Sequence, residues 1–142
     1  MNMTKKISNS YSNRLREVYV FDKLSSIDDI KEVLVLLIKK GFKIDNIEVN
    51  ELADYDEGSL VRGYDLSEIN NISIDFANKT IQDYTLSGQY QNNDFFASIN
   101  PSHNSMMIDY VNVHQKEIEE MMQELDEKQK QDNNINDNTY QL

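Results

Sequence analysis

Residues 17–52 read EVYVFDKLSSIDDIKEVLVLLIKKGFKIDNIEVNEL, and the fold turns on them. Residues 17–22 (EVYVFD) are rich in β-branched and aromatic types and predict a short strand. Ser26 followed by Asp29 forms a capping-box pattern with the shorter acid, and Asp28 and Asp29 suit the positive end of a helix dipole. Ile27, Ile30, Val33, Leu34, Leu37 and Ile38 then recur at helical spacing. Lys39 and Lys40 fall in the last turn, and Gly41 stands where a C-cap belongs. Val35 and Leu36 make the second half of this helix apolar nearly all round. Such a helix is covered on two sides or faces a partner. Cover within the chain is the expectation, and Val35 with Leu36 is the candidate self-association surface. Ile44, Ile47 and Val49 predict a strand over 44–50. Strand, helix, strand implies a crossover unit with two parallel strands.

Working outward, residues 53–70 (ADYDEGSLVRGYDLSEIN) hold two glycines and five acids against one arginine. They read as a long exposed loop with a short strand or turn at Leu60-Val61; Leu66 and Ile69, three apart, leave a helix at 65–70 open. Ile72, Ile74 and Phe76 alternate with Ser73 and Asp75, which predicts a strand ended by a hairpin turn at 77–79. Further strands are expected at 80–87, at 95–99 up to Asn100-Pro101, and at 106–110, with a turn over 88–93. Together they make a four-stranded antiparallel meander. Val111, Ile118 and Leu125 recur every seven residues, beside His114, Met121 and Met122. That predicts an amphipathic helix over 112–128 with Glu117, Glu120, Glu124 and Glu127 outside. The expected fold class is α+β: a strand-helix-strand unit, the meander, and a C-terminal helix packed on the sheet. The expected organisation is a flexible polar arm (1–15), one α+β domain (16–128) and a disordered polar tail (129–142).

The chain has 142 residues, no cysteine and a formal net charge of −11. One domain of this length buries enough surface to stand without staples. Disulfides and thiolate metal sites are excluded, and the missing cysteines favour a reducing, cytoplasmic setting. No apolar segment follows Lys5 and Lys6, so no signal peptide is expected. The longest apolar run, 33–38, is far short of the roughly 20 residues of a membrane span. Charge is segregated. Residues 1–16 carry +4, residues 17–44 balance, residues 45–68 carry −7 and residues 114–142 carry −5. Such a field repels nucleic acid and anionic membranes and speeds encounter with a basic protein.

Catalytic constellations are thin. Ser102, His103, Ser105 and Asp109 are close in sequence, but no GxSxG elbow accompanies them. His114 and Glu117 sit one helical turn apart, too few for a zinc site, which needs three or four convergent ligands. The stretch at 54–58 (DYDEG) places its glycine one position early for a calcium loop and lacks the terminal glutamate. Four glycines form neither GxGxxG nor GxxxxGK[ST]. With no tryptophan, the aromatic cleft usual for paired-carboxylate glycosidases is not signalled. The expectation is therefore a protein that is not an enzyme, with no cofactor and no metal.

The binding signal is the acidic segment with its tyrosines. Asp54, Tyr55, Asp56, Glu57, Tyr64 and Asp65 combine rigid contact area with carboxylates that accept bidentate bonds from arginine. The expected function is inhibition of a cognate toxin enzyme, in the manner of an immunity protein or antitoxin, by occluding a basic cleft. The alternatives are a phage or mobile-element inhibitor that mimics nucleic-acid charge against a nuclease, of the anti-CRISPR or anti-restriction type, and an acidic secretion or assembly chaperone.

Overall fold

The computed structural model describes residues 1–51 and 61–140, the last nine of these by their backbone. In chain order the elements are β1 (Met3–Tyr11), β2 (Arg14–Phe21), α1 (Ile27–Lys39), β3 (Lys43–Glu51), β4 (Val61–Tyr64), α2 (Ile69–Asp75), β5 (Ile81–Tyr90), β6 (Asn93–Asn100), β7 (Ser105–Val111) and α3 (Val113–Tyr140). Short 3-10 turns occupy Leu66–Glu68 and Pro101–His103. The class is α+β. Two compact units divide the chain, Met1–Val111 and Asn112–Leu142; all seven strands, α1 and α2 belong to the first, α3 to the second.

The strands form one sheet in the order β1-β2-β7-β6-β5-β3-β4. Every neighbouring pair is antiparallel. β2 and β3 thus run in the same direction, and α1 crosses from one to the other. Three strands lie between them, so the expected parallel pair is not a ladder. α1 starts where the sequence places it. The Asp29 amide donates to Ser26 Oγ at 3.3 Å, and the Ser26 amide donates to Asp29 Oδ2 at 3.1 Å. Gly41 leaves the helix at φ +101°, which suits glycine because a Cβ disfavours that region.

Register builds one apolar face in rows. Tyr64, Ile47, Leu86, Ala97, Ile108 and Glu17 pair across the sheet, and beside them run Val49, Tyr84, Ile99, Met106 and Tyr19. Ile30, Val33, Leu34 and Leu37 of α1, with Ile72 of α2 and Phe76, complete the core on that face. At about 25 cal/mol per Å² of apolar surface removed from water, this layer is the main stabiliser of the unit. Gly88 of β5 is required by packing: a Cβ there would stand 1.9 Å from the Lys43 carbonyl oxygen, beside a bulge in β3 that throws Asp45 outward. Gln91 and Asn92, both at positive φ, close the tight hairpin between β5 and β6.

Four expectations are corrected. Residues 72–76 are not the first strand of a meander but lie in α2 and its C-cap. In so short a run, Ile72 and Phe76 satisfy helical spacing as well as alternation, and both are buried while Ile74 is 74% exposed. The meander therefore has three strands, β5, β6 and β7. Residues 1–15, expected as a flexible arm, supply β1, whose eight registered pairs with β2 hold it by backbone bonds. Its side chains are nearly all exposed, so no burial pattern marks it. α3 runs through Tyr140, past residue 128, because its Glu, Gln, Lys and Met residues favour helix without needing a buried face. Finally, Val35 and Ile38 are 48% and 45% exposed, so the second apolar side of α1 is left open.

Candidate functional site

The sheet face opposite α1 and α2 carries the exposed chemistry of the first unit. One of its rows runs Asn46, Ser87, Phe96, Asp109, Arg16 and Asn9, and the next Gly63, Glu48, Thr85, Ser98, Met107, Val18 and Ile7. The second row therefore grades from acid at β3 to apolar at β7, β2 and β1, while the first carries Asp109 and Arg16 there. Phe96 is 37% exposed and Ile7 46%. Asp45 and Glu48 are exposed at the acidic end. Asp45 also lines a cavity of about 450 Å³ with Arg14, Ser87, Asp94 and Phe96.

The opposite edge of the sheet is basic in sequence but largely neutralised in the fold. Asp109, 4% exposed, accepts from Arg14 Nε and from Arg16 Nε and Nη2, the last two at 3.2 Å each. Glu17, 7% exposed, closes the core row from the other face. It accepts from the hydroxyls of Tyr19 and Tyr110, the latter at 2.8 Å, and from Lys5 Nζ at 3.0 Å. Burial raises the Glu17 pKa, but the bonds from Tyr19, Lys5 and Tyr110 outweigh it and hold the carboxyl below its ordinary value. Burial, then the bonded Glu17 carboxylate, pushes both tyrosines well above theirs. Tyr110 also edges onto Tyr90 and Phe42, whose rings stack at 4.0 Å. Three of the four cations of residues 1–16 thus face buried acids, and the acidic end of the sheet is not offset by a free basic arm.

Of the residues expected to bind a partner, Asp54, Tyr55, Asp56 and Glu57 lie outside the described residues. Tyr64 is described and is core: it is 4% exposed and donates to Asp75 Oδ2 at 2.8 Å, while Arg62 pairs with the same oxygen at 2.9 Å. Asp65 is exposed and caps the 3-10 turn, its amide donating to Glu68 Oε1 at 3.1 Å. The segment's tyrosine is thus structural, and its acid caps a turn. Val35 and Leu36 line a cavity of about 330 Å³ with Lys31, Glu32 and Lys39. His103 ends a 3-10 turn and His114 lies in the first turn of α3, both exposed. Asp109 is bound by two arginines, and Ser102 Oγ donates to Asn100 Oδ1 at 2.7 Å, so Ser102, His103 and Asp109 do not form a hydrogen-bonded relay. Among the described residues no group of three metal-ligating side chains converges, and no helix is long and apolar enough to cross a membrane.

Sequence reasoning missed Glu17, Asp109 and the graded face. An acid inside the β-rich stretch EVYVFD, and another inside the strand at 106–110, were the available signals: a charge at an interior strand position needs a partner. Comparison with protein-family models, curated proteins and solved structures finds no match for this chain.

Proposed function

We propose that this protein is a non-enzymatic acidic inhibitor that occludes the basic cleft of a partner enzyme, as an immunity protein or antitoxin does. The observation that carries the reading is the outer sheet face, where Asp45 and Glu48 stand exposed at the β3 end, Phe96 lies in mid-sheet lining a cavity with Asp45, and Ile7 is exposed on the far edge strand. Acids at a rim steer a basic partner into encounter, and apolar side chains beside them supply the contact that water leaves. The charge balance supports the same reading. Lys5, Arg14 and Arg16 are consumed by Glu17 and Asp109, so the exposed excess is negative.

The test is affinity capture from the native host followed by assay of what is captured. A basic enzyme recovered at equal stoichiometry, silent in the complex and active after release at high salt, is the expected result. With that enzyme in hand, the double variant Asp45→Lys, Glu48→Lys should slow association about tenfold and flatten its salt dependence. Phe96→Ala should mainly speed dissociation. A chain that turns over a substrate by itself, or a partner indifferent to these changes, overturns the reading. Equal small losses from acids spread over the whole surface would instead mark a mimic of nucleic-acid charge.

A further inference from the structure

Between the two helices of the first unit and the sheet lies a cavity of about 420 Å³, walled by Ile30 of α1, Ile72 of α2, Phe76 and Tyr84 of β5, with Ser73 and Lys79 also in its lining. Its volume is that of a small-molecule site. Tyr84 is 3% exposed, and among the described residues its hydroxyl has no hydrogen-bond partner. Yet no sealed side-chain oxygen or nitrogen among the described residues lacks a partner. The Tyr84 hydroxyl therefore meets the open space of the cavity it lines. That hydroxyl can be met only from the cavity side, whereas the sealed side-chain polar groups of the described residues are satisfied within the protein.

Charge selects the occupant. At the helix end beside the cavity the Ser25 and Ser26 amides both donate to Asp29 Oδ2, at 2.9 and 3.1 Å, and the Asp29 amide donates to Ser26 Oγ at 3.3 Å, so these three are not offered to an anion. Asp28 and Asp29 make that end negative. Lys79 is turned to Glu51 at 3.4 Å. The Ser73 hydroxyl donates to the Asn70 carbonyl at 3.0 Å, which leaves its oxygen as an acceptor. Burial pushes the Tyr84 hydroxyl up to about 12, so it stays a neutral donor.

We infer that this cavity is a binding site for a neutral small molecule with an apolar body and an amide-like head, whose carbonyl accepts from Tyr84 and whose N–H faces the Ser73 oxygen. The inference is independent of the inhibitor reading, which rests on the other face of the sheet.

The experiment uses three near-isosteric probes on the ¹⁵N-labelled full chain: benzamide (neutral), benzoate (anionic) and benzamidine (cationic). Benzamide should shift the amide signals of Ile30, Ile72 and Tyr84 with millimolar affinity, the range open to about nine heavy atoms. The two charged probes should bind at least tenfold more weakly. Tyr84→Phe should weaken benzamide about tenfold while leaving the melting temperature equal or higher, since the hydroxyl it removes has no partner in the protein. Three probes binding alike, none binding, or undiminished benzamide binding by the Phe variant overturns the site. So does a lower melting temperature in that variant, which would mean that the hydroxyl is held from within.

Discussion

Glu17 and Asp109 sit on adjacent strands, on opposite faces of the same sheet, and both are carboxylates withdrawn from water. They are stabilised by different means. Glu17 belongs to the core row and is held by two tyrosine hydroxyls that are themselves in or beside the core, with Lys5 reaching in from the edge strand. Asp109 faces outward and is held by Arg14 and Arg16, whose side chains are 32% and 56% exposed. The difference lies in what happens when the acid is removed. Two guanidiniums at the surface can turn to water; the buried Tyr19 hydroxyl cannot, and that of half-buried Tyr110 can do so only in part. A buried acid is therefore only as indispensable as its partners are confined.

The sharpest way to break this comparison is to truncate each acid and measure urea unfolding. Glu17→Ala should cost about 3 kcal/mol, because it strands the buried Tyr19 hydroxyl and takes the acceptor from half-buried Tyr110. Asp109→Ala should cost about 1–2 kcal/mol, and that loss should shrink in 1 M salt, where an ion pair with exposed partners is screened. Equal costs, or a salt-sensitive Glu17 variant, would mean that partner confinement is not what separates them.

Titration sharpens the same contrast. Because the folded Glu17 pKa lies below its unfolded value, its contribution is fully present above about pH 4.5 and is lost as pH falls through the lowered folded value. Tyr19 and Tyr110 are raised, so their contribution is full below about pH 10 and is lost as pH climbs through the folded values. Unfolding free energy measured against pH should therefore fall at both ends. Glu17→Gln should flatten the acid limb and leave much of the alkaline one, which burial alone sustains. The smallest effect is expected from Lys5→Met, about 0.5 kcal/mol by thermal melting, since Lys5 is 49% exposed and contributes one of three bonds.

The same distinction explains what could be read in advance. α1 was legible almost to the residue, because its cap, its apolar stripe and its terminal glycine are all local signals. β3, β5, β6 and β7 were legible from apolar residues two apart, at 47 and 49, at 84 and 86, at 95, 97 and 99, and at 106, 108 and 110. α2 was not, since five residues with apolar types at 72, 74 and 76 serve either period. β1 was not, since an edge strand is bound by backbone groups that every sequence has. The candidate interface fared likewise. Acid enrichment near 45–68 was visible, but Tyr64 proved to be core, bonded to Asp75, while Phe96 gains its place near Asp45, and Ile7 its place on the same face, only through register.

By itself, then, the order of amino acids determined the α+β class, the central helix, most of the strands and the net negative exterior, all of which arise from neighbours within a few positions. Only the tertiary structure decided that Lys5, Arg14 and Arg16 are consumed by Glu17 and Asp109, that a tyrosine hydroxyl opens on a cavity between helices and sheet, and which acids remain free. Those facts depend on pairing between residues up to 95 positions apart, and such pairing is set by sheet order and register, which local sequence does not encode.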